Sequence, residues 1–518
     1  MTTRLLAALA ALSLVACNAP GRGAPARATG GTLPGDEACE LGDSVHGGQV
    51  EPGARDLVIP VKKKAWEASL GGEAAARPYV RARLAGWPAR LLVDRGELPA
   101  DDRELIARLA RDTWRGLEAF TDRENHLPVD NVHLDAWPDG RVGDYTNVTS
   151  VGLHLIAIVA ARELGLLAPS DASHELGAVL ATLDRLETYQ GFFFNYYDTT
   201  SLERTSNFVS FVDTSWLVAG LIVVREAFPE LRDACSRLID RQDARFFYDS
   251  VTGRMSHGYY VQLKARSRYH YGVLYAESRL GSVIAIGKGD VPAAHWFRMV
   301  RTFPAACRWQ PMAPLGRLPK EVAGNSLFGG YYEWKGVRYV PSWGGSMFEA
   351  LMPTLVLDEP RYAPRSLGAN DAAHALVQRR FALEELGDPV WGMSPSSDPQ
   401  RGDGYGEYGV KVLGSLGYAP GAVTPHAAAL ALVVAPEAAI ANLRTLAERY
   451  DAYGDFGLYD AIDPSSGRVN HSYLALDQAM LFIAAANYLT GGAIQGYFAA
   501  DPIVARALPV VGREDFFD

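Results

Sequence analysis

About a dozen segments with helical periodicity dominate the chain beyond residue 100. In the first of them, Leu105, Leu109 and Leu117 recur near one helix face, and acidic residues occupy the first turn. Short connections alternate with long ones along the series. Helices paired in this way predict an all-α fold, an (α/α)6 toroid, preceded by a short irregular N-terminal appendage.

The predicted helices cover residues 101–120, 148–166, 171–188, 211–228, 230–242, 275–287, 292–301, 344–357, 370–384, 424–434, 436–449 and 476–490. The long connections are rich in Gly, Tyr, Trp and Asp and cover residues 189–210, 243–274, 308–343, 386–423 and 450–475. Long loops on a rigid scaffold commonly build binding sites. We therefore expect the functional site where these loops meet.

The first residues have the pattern of a bacterial export signal. Arg4 precedes an apolar run that is too short to span a bilayer and ends in LVAC, which resembles a lipobox. Residues 1–16 are therefore predicted to be a lipoprotein signal peptide, with lipidation of Cys17. Asn18 favours an outer-membrane anchor in the bacterial envelope, facing the periplasm or the exterior. A secretory signal with an unrelated cysteine is the alternative.

The following segments complete the domain organisation. Residues 17–38 are largely Gly, Ala, Pro and Arg, which predicts a flexible tether. Residues 39–100 are less regular, and short strands are expected within 55–61 and 76–93. Residues 101–518 form the main body of the protein.

Composition excludes several classes of function. Hydrophobic residues make up 48% and charged residues 21%, as in a soluble globular protein with a large core. The formal net charge of −10 disfavours nucleic acid and anionic membrane surfaces as partners. The 11 histidines are scattered, and neither CxxC nor HExxH occurs, so the sequence predicts no metal and no cofactor. GxSxG, P-loop and dinucleotide fingerprints are also absent from the sequence.

Three cysteines remain besides Cys17, namely Cys39, Cys235 and Cys307. In an oxidising compartment they allow one disulfide and one free thiol. The sequence does not assign the pair.

A glutamate stands at the head of the apolar stretch YAESRLGSVIAIGKGDVPAAHWF, residues 275–297. On the predicted helix, Glu277 shares a face with Leu280 and Ile284. Burial on that face would raise the pKa of its carboxyl group toward neutrality, and a carboxylic acid protonated near pH 7 suits general acid catalysis. The alternative is a structural glutamate that pairs with Arg279 or Arg268.

Two further carboxylates enter apolar helices. In SWGGSMFEALMPTLVLDE, Glu349 lies among apolar residues just before Pro353. Asp213 is the charged residue at the head of the apolar stretch NFVSFVDTSWLVAGL, where an aspartate is often only a helix cap. Glycoside hydrolysis uses two carboxyl groups that flank one bond. The set of three carboxylates therefore favours that chemistry.

A family resemblance covers about residues 105–505. The blocks that carry it are, in chain order, NVTSVGLHLIAIVAARELGLL, GFFFNYYDTTS, VDTSWLVAGLIVVREAF, YAESRLGSVIAIGKGDVPAAHWF, SWGGSMFEALMPTLVLDE, VWGMSPSS, VTPHAAALALVVAPEAAIANL, GLYDAID and LDQAMLFIAAANYLTG. In this order they resemble the bacterial glucoamylase-like domain of endo-β-1,2-glucanases and cyclic β-1,2-glucan synthases. Residues 101–518 are therefore expected to form a glucoamylase-like catalytic domain.

The resemblance implies an (α/α)6 barrel with a cleft for β-glucan. Glu277 falls on the family's catalytic carboxylate, the proposed general acid, and Asp213 falls on an aspartate of the cleft. Glu349 matches the GSMFE glutamate of the synthase branch, where a nucleophile in a retaining transfer is expected. The glucanase branch differs at this block and its members are thought to invert, so stereochemistry stays open.

Loop residues are candidates for sugar binding. Aromatic rings can stack on sugars or belong to the core, and the candidates of this kind are Trp343, Trp296, Trp391 and Tyr332. The Gly-rich loop 396–409 adds Asp403 and Glu407 as hydroxyl binders or as candidates for the general base.

Together these features predict a lipid-anchored glycoside hydrolase that cleaves β-glucan, with β-1,2-glucan preferred. The expected partner is an oligo- or polysaccharide, the membrane is reached only through the N-terminal lipid, and a monomer is expected. One alternative is a retaining β-1,2-glucan transglycosylase or cyclase. The other is a non-catalytic glycan-binding lipoprotein.

Overall fold

A computed structural model describes residues 65–93, 96–402 and 404–518. The predicted signal peptide, tether, lipidation site at Cys17 and sugar-binding residue Asp403 lie outside these ranges. The helices are α1 (Ala65–Ser69), α2 (Glu73–Arg83), α3 (Asp102–Ala119), α4 (Val148–Glu163), α5 (Pro169–Arg185), α6 (Phe211–Ala227), α7 (Arg232–Asp240), α8 (Arg279–Lys288), α9 (Ala294–Arg298), α10 (Met347–Leu351), α11 (Glu359–Tyr362), α12 (Leu367–Arg380), α13 (Pro425–Leu430), α14 (Pro436–Arg449), α15 (Ala475–Thr490), α16 (Ala493–Ala500) and α17 (Pro502–Val511). None of the helices in these ranges is both long and apolar enough to cross a membrane.

The loops carry short antiparallel strands, which pair in twos and threes. The strands are β1 (Asn131–His133), β2 (Arg141–Gly143), β3 (Tyr145–Asn147), β4 (Thr188–Tyr189), β5 (Phe192–Phe193), β6 (Tyr196–Asp198), β7 (Phe208–Ser210), β8 (Tyr248–Asp249), β9 (Arg254–Ser256), β10 (Gly258–Tyr260), β11 (Ala265–Arg266), β12 (His270–Tyr271), β13 (Pro319–Val322), β14 (Asn325–Phe328), β15 (Tyr332–Trp334), β16 (Val337–Tyr339), β17 (Ser396–Ser397), β18 (Tyr405–Gly406), β19 (Tyr453–Gly454), β20 (Gly457–Leu458), β21 (Ala461–Ile462), β22 (Val469–Asn470) and β23 (Ser472–Leu474). Strand β1 pairs with the distant β23, with Asn131 opposite Leu474. This pairing joins the two ends of the main body.

The fold is rich in helix, at 46% of residues, as the periodicity predicts. Three details differ from the prediction. Part of the segment 76–93, where a strand was expected, forms helix α2. Alanine and arginine favour helix. In addition, the buried Arg83 at the end of α2 forms a bidentate ion pair with Asp122, at 2.7 and 2.9 Å. The helix predicted over 275–287 begins only at Arg279. Helices α16 and α17 were missed because Gly491, Gly492 and Pro502 interrupt the pattern.

The most apolar helices form the interior. Helices α4 and α6 are buried over almost their whole length, as expected for helices that are apolar on every side. They pack against each other, and α15 packs on α3 and α4. The amphipathic helices α3, α5, α7 and α14 each keep one face at the surface.

Two glycines allow α4 and α6 to touch through their backbones. A Cβ atom at Gly220 would overlap the carbonyl group of Gly152, and a Cβ atom at Gly152 would overlap that of Trp216. The close approach brings the Thr149 hydroxyl of α4 to 2.9 Å from the Asp213 carboxylate of α6. The glycine contact therefore positions one of the candidate site residues.

We expect Gly220→Ala to lower the free energy of unfolding by about 1–3 kcal/mol, because the added methyl group overpacks the helix contact. Gly177→Ala is the matched control, since Gly177 lies within α5 and its Cβ would meet no atom within 4 Å. That control should leave stability unchanged or raise it by about 0.4–1 kcal/mol. Urea denaturation measures both, and equal stability of the two variants would contradict the proposed contact.

Candidate active site

A cleft opens where the loops meet, with an empty volume of about 1210 Å³ including the space open to solvent. Carboxylates and aromatic rings line it together. The carboxylates are Asp130, Asp213, Glu277, Glu349 and Glu407, and the rings are Tyr196, Trp216, Tyr271, Trp343, Phe348, Tyr405 and Tyr418. The three carboxylates selected from the sequence therefore lie around one cleft.

Glu277 lies in a turn, two residues before α8 begins. The Leu280 amide donates a hydrogen bond to its carbonyl oxygen at 3.3 Å, and the half-buried side chain faces the cleft. The predicted position on the apolar face of a helix is thus wrong, but the side chain is still largely desolvated. Burial raises the pKa of Glu277 to about 8, and repulsion from Glu349 and Asp213 acts in the same direction. Glu277 is therefore protonated at neutral pH.

Arg279 is not an ion-pair partner of Glu277. It is fully buried, and its guanidinium group donates to both carboxylate oxygens of Glu359, at 2.7 and 2.8 Å. Within the described ranges, no other side chain donates a hydrogen bond to Glu277. The alternative of a structural Glu277–Arg279 pair is therefore wrong.

Arg279 also connects the two halves of the site. It donates to the carbonyl oxygen of Ala276, next to Glu277, at 3.1 Å. It donates further to the carbonyl oxygens of Glu349 at 3.1 Å and Ala350 at 2.6 Å. One buried guanidinium group thus fixes the turn that carries Glu277 relative to the helix that carries Glu349.

The Glu349 carboxylate accepts hydrogen bonds from residues that lie just before its own helix, α10. The Ser342 hydroxyl donates to its carboxylate at 2.7 Å, and the Gly344 amide donates at 2.9 and 3.0 Å. Glu349 and the N-cap residue Ser346 also form a capping box. Burial raises the pKa of Glu349, and these hydrogen bonds oppose the rise because they stabilise the ionised form. Both carboxyl groups are thus buried, but Glu349 has hydrogen-bond donors that Glu277 lacks.

Asp213 does not cap its helix with its side chain. Ser210 is the N-cap of α6, and its hydroxyl accepts a hydrogen bond from the Asp213 amide at 3.3 Å. The Asp213 carboxylate instead accepts from the Thr149 hydroxyl at 2.9 Å and from the Asn195 amide at 3.2 Å. These contacts orient the carboxylate at the cleft.

Two further carboxyl groups line the cleft. Burial raises the pKa of Glu407 to about 8, and repulsion from Glu349 adds to the rise. Burial raises the pKa of Asp130 to about 6, against hydrogen bonds from Asn131, at 2.8 Å, and from Tyr145. Sequence reasoning included Glu407 but missed Asp130, because Asp130 precedes a short strand and has no helical pattern around it.

The aromatic candidates divide into two groups. Trp343 lines the cleft and packs with Trp309 and Tyr418. Trp296, Trp391 and Tyr332 are only 1%, 3% and 1% exposed and belong to the main core. Rings this deeply buried cannot stack on a sugar, so the sugar-binding prediction is corrected for these three residues.

The rings that sequence reasoning missed are mostly tyrosines. Tyr196, Tyr271, Tyr405 and Tyr418 all line the cleft. For Tyr271, Tyr405 and Tyr418, an adjacent glycine in a long loop was the available signal.

Cys307 is disulfide-bonded and Cys235 is a buried free cysteine, so the chain has both a disulfide and a free thiol.

Among the described residues, one group has the composition and spacing of a metal site. His426, Asp460 and Asp477 are buried, and their potential ligand atoms lie within 4.8 Å of one another. The sequence did not indicate this group, because its three residues come from separate segments and form no recognisable motif.

Comparison with known proteins identifies two regions of the chain. Residues 326–502 match the family model described as "Putative glucoamylase", and residues 108–281 match a family described as "Protein of unknown function (DUF3131)". Residues 326–502 therefore have the glucoamylase-like character that the motifs predict. Glu349 and Glu407 come from the first region, while Asp213 and Glu277 come from the second.

The chain is homologous to the cyclic β-(1,2)-glucan synthase NdvB of Rhizobium meliloti, with 26% identity over 554 residues. The match covers 78% of this chain but only 18% of that protein, so the chain spans about a fifth of its length. The endo-β-1,2-glucanase from Chitinophaga pinensis is 16% identical, with a TM-score of 0.60 over 80% of this chain and 99% of that one. The β-1,2-glucanase from Parabacteroides distasonis is 17% identical, with a TM-score of 0.65 over 80% of this chain and 60% of that one. Both of these structures share their fold with this chain.

The raised pKa of Glu277 predicts a pH-dependent stability difference between the wild type and Glu277→Gln. The folded state holds the proton of Glu277 up to about pH 8, whereas the ordinary carboxyl value is 4.5. The stability from this proton is therefore complete below pH 4.5 and is lost as the pH rises through 8. Glutamine cannot ionise, so between pH 4 and 9 the variant should gain about 1–3 kcal/mol relative to the wild type.

Thermal unfolding across this pH range measures the difference. Glu349→Gln is the comparison variant, because its replacement removes an acceptor from the donors around it. It should be less stable than the wild type at both ends of the range. A stability difference for Glu277→Gln that does not change with pH would contradict a protonated Glu277.

Proposed function

We propose that this protein is a glycoside hydrolase that cleaves β-glucan, specifically β-1,2-linked glucan, on an (α/α)6 toroid. The observation that carries the proposal is the contrast between two neighbouring carboxyl groups. Glu277 is protonated by its surroundings, while Glu349 accepts hydrogen bonds that favour its ionised form. Two carboxyl groups with opposed environments are what an acid and a nucleophile or base require.

In the proposed reaction, Glu277 donates its proton to the glycosidic oxygen and so assists departure of the leaving sugar. Glu349 attacks the anomeric carbon and forms a glycosyl–enzyme ester. Ionised Glu277 then takes a proton from water, and the water's oxygen displaces Glu349 from the sugar. This sequence returns both carboxyl groups to their starting states and retains the anomeric configuration.

Retention is favoured over inversion by the relative influence of the two anionic neighbours. Glu349 raises the pKa of Glu277 more than Asp213 does, so it is the stronger electrostatic partner of Glu277. We therefore assign Glu349 the nucleophile role that a retaining mechanism requires. Asp213 remains the base for an inverting mechanism.

Substrate choice is supported by the cleft lining and by homology. Aromatic rings and carboxylates both line the cleft, which suits flat sugar rings with polar edges. The homologous protein is a β-1,2-glucan synthase by name. Endo-β-1,2-glucanases are among the solved structures of this fold, so the fold is compatible with the substrate.

Replacement of Glu277 by glutamine should lower kcat on β-1,2-glucan by about 10²–10⁴-fold, because the amide cannot donate the required proton. Glucan binding should persist, since the shape of the cleft is unchanged. Reducing-end assays and calorimetric titration measure the two effects. Glu203→Gln, at an exposed glutamate, is the control and should keep full activity. Wild-type turnover by Glu277→Gln would refute the assignment.

The anomer of the first product tests the role of Glu349. We expect the β-anomer to appear first in ¹H NMR spectra of fresh digests, because a double displacement retains configuration. Early appearance of the α-anomer would contradict the nucleophile role and would assign the base to Asp213. Binding of glucan with no new reducing ends and no longer or cyclic products would instead favour a non-catalytic glycan-binding protein.

A second candidate function is transfer of the glycosyl group to another sugar, giving longer or cyclic glucans. Two observations favour it. Glu349 lies in the GSMFE block, whose resemblance to the synthase branch implies a retaining transfer. The chain is also homologous to a cyclic glucan synthase over 78% of its length. The NMR spectra distinguish the two functions. Hydrolysis adds a reducing end at every turnover, whereas transfer leaves their number constant.

The N-terminal sequence supports a location in the bacterial envelope. We propose that Cys17 carries lipid and anchors a monomeric catalytic domain at the outer membrane, facing the periplasm or the exterior. Cys17→Ala should move the protein from the membrane fraction to the aqueous fraction of cells. An unchanged membrane association of this variant would contradict the lipid anchor.

A further inference from the structure

Three buried side chains converge behind the cleft from separate segments. His426 is the second residue of α13, Asp460 directly precedes β21, and Asp477 lies in the first turn of α15. Their exposed fractions are 2%, 1% and 1%. One potential ligand atom from each side chain lies within 4.8 Å of those of the other two.

Each side chain has an atom without a hydrogen-bond partner in the described part of the chain. These atoms are His426 Nδ1, Asp460 Oδ1 and Asp477 Oδ2. His426 Nδ1 lies 3.3 Å from Asp477 Oδ2, but the geometry is not that of a hydrogen bond. Buried polar atoms are rarely unpaired, and an unseen ion or water is a usual reason. Three such atoms in one place can therefore receive a common ligand.

Other atoms of Asp460 and His426 contact neighbouring polar groups. The Ser397 amide donates to Asp460 Oδ2 at 2.8 Å. His426 Nε2 lies 3.4 Å from the Thr424 hydroxyl oxygen, and a proton on Nε2 leaves the lone pair of Nδ1 free. Metal-binding histidines are commonly oriented through their second nitrogen in this way.

We propose that His426, Asp460 and Asp477 bind one divalent metal ion. Two carboxylates and one imidazole suit Mn²⁺ or Zn²⁺ better than Ca²⁺ or Mg²⁺, which prefer oxygen ligands alone. Two ligand atoms that are each about 2.1 Å from a metal, at tetrahedral or octahedral angles, lie about 3.0–3.4 Å apart. The separation of 3.3 Å between His426 Nδ1 and Asp477 Oδ2 agrees with this geometry.

A proton shared between Asp460 and Asp477 is the competing explanation. The side chains of Asp460 and Asp477 lie within hydrogen-bonding reach of each other, so they could share one proton. A shared proton would satisfy the two carboxyl groups but would leave His426 Nδ1 unpaired. A divalent ion satisfies all three atoms and neutralises both charges.

The site would be structural. It connects α13, the segment before β21 and the start of α15, and its two carboxylates lie near Tyr405 of the cleft wall, whose pKa is raised by burial and then by Asp477 and Asp460. A bound ion would therefore stabilise that wall, while the carboxylates of the cleft perform the proposed reaction without it.

The test uses the purified chain after dialysis against a chelator. Mn²⁺ or Zn²⁺ is added, with Ca²⁺ and Mg²⁺ as comparison ions, and bound metal is measured by mass spectrometry after desalting. We expect one Mn²⁺ or Zn²⁺ per chain and a rise in Tm of a few degrees. Asp477→Asn should lose both effects. Asp463→Asn, at a nearby aspartate whose carboxylate binds Ser465 and Ser466 in its own loop, should keep both.

Failure of Mn²⁺ and Zn²⁺ to bind or to raise the Tm would overturn the proposal and assign the cluster to a shared proton. Binding that survives in both Asp477→Asn and His426→Asn would also overturn it, since the metal would then lie elsewhere. Metal content and Tm do not depend on glucan cleavage. The outcome is therefore separate from that of the proposed function.

Discussion

The arrangement of the candidate site depends on one buried guanidinium group. Arg279 is enclosed completely, and such a charge is tolerated only when paired and hydrogen-bonded throughout. Glu359 supplies the pairing, and the carbonyl oxygens of Ala276, Glu349 and Ala350 supply the remaining acceptors. Because these carbonyl oxygens come from two segments, the hydrogen bonds of Arg279 hold the turn that carries Glu277 against the helix that carries Glu349.

With these two segments held in place, the local environment gives the carboxyl groups of Glu277 and Glu349 different properties. Glu277 projects from a turn and receives no hydrogen bond from another side chain in the described ranges, so burial and neighbouring anions keep it protonated. Glu349 sits at a helix entrance, where the Ser342 hydroxyl and the Gly344 amide point at its carboxylate. The same side chain is therefore left without side-chain donors at one position, while at the other it accepts hydrogen bonds that oppose the effect of burial on its pKa.

Part of this arrangement was predictable from the sequence. Apolar helices with a lone carboxylate at the head correctly predicted that Asp213 and Glu349 line the cleft. Desolvation of Glu277 was also predicted, but this residue lies in a turn and not on a helix. The choice between core and cleft for Trp296 and Trp343 was not predictable, because both have apolar and aromatic neighbours in the sequence. Only tertiary packing buries one ring and leaves the other at the cleft.

The central claim is that Glu277 meets the glycosidic oxygen of a bound β-glucan. A crystal structure of Glu277→Gln with a β-1,2-linked gluco-oligosaccharide tests it most directly. The account predicts a sugar chain across the cleft, with one glycosidic oxygen about 2.6–3.2 Å from the side-chain amide of residue 277 and the adjacent anomeric carbon facing Glu349. An oligosaccharide bound with its glycosidic oxygens out of reach of residue 277 would contradict it.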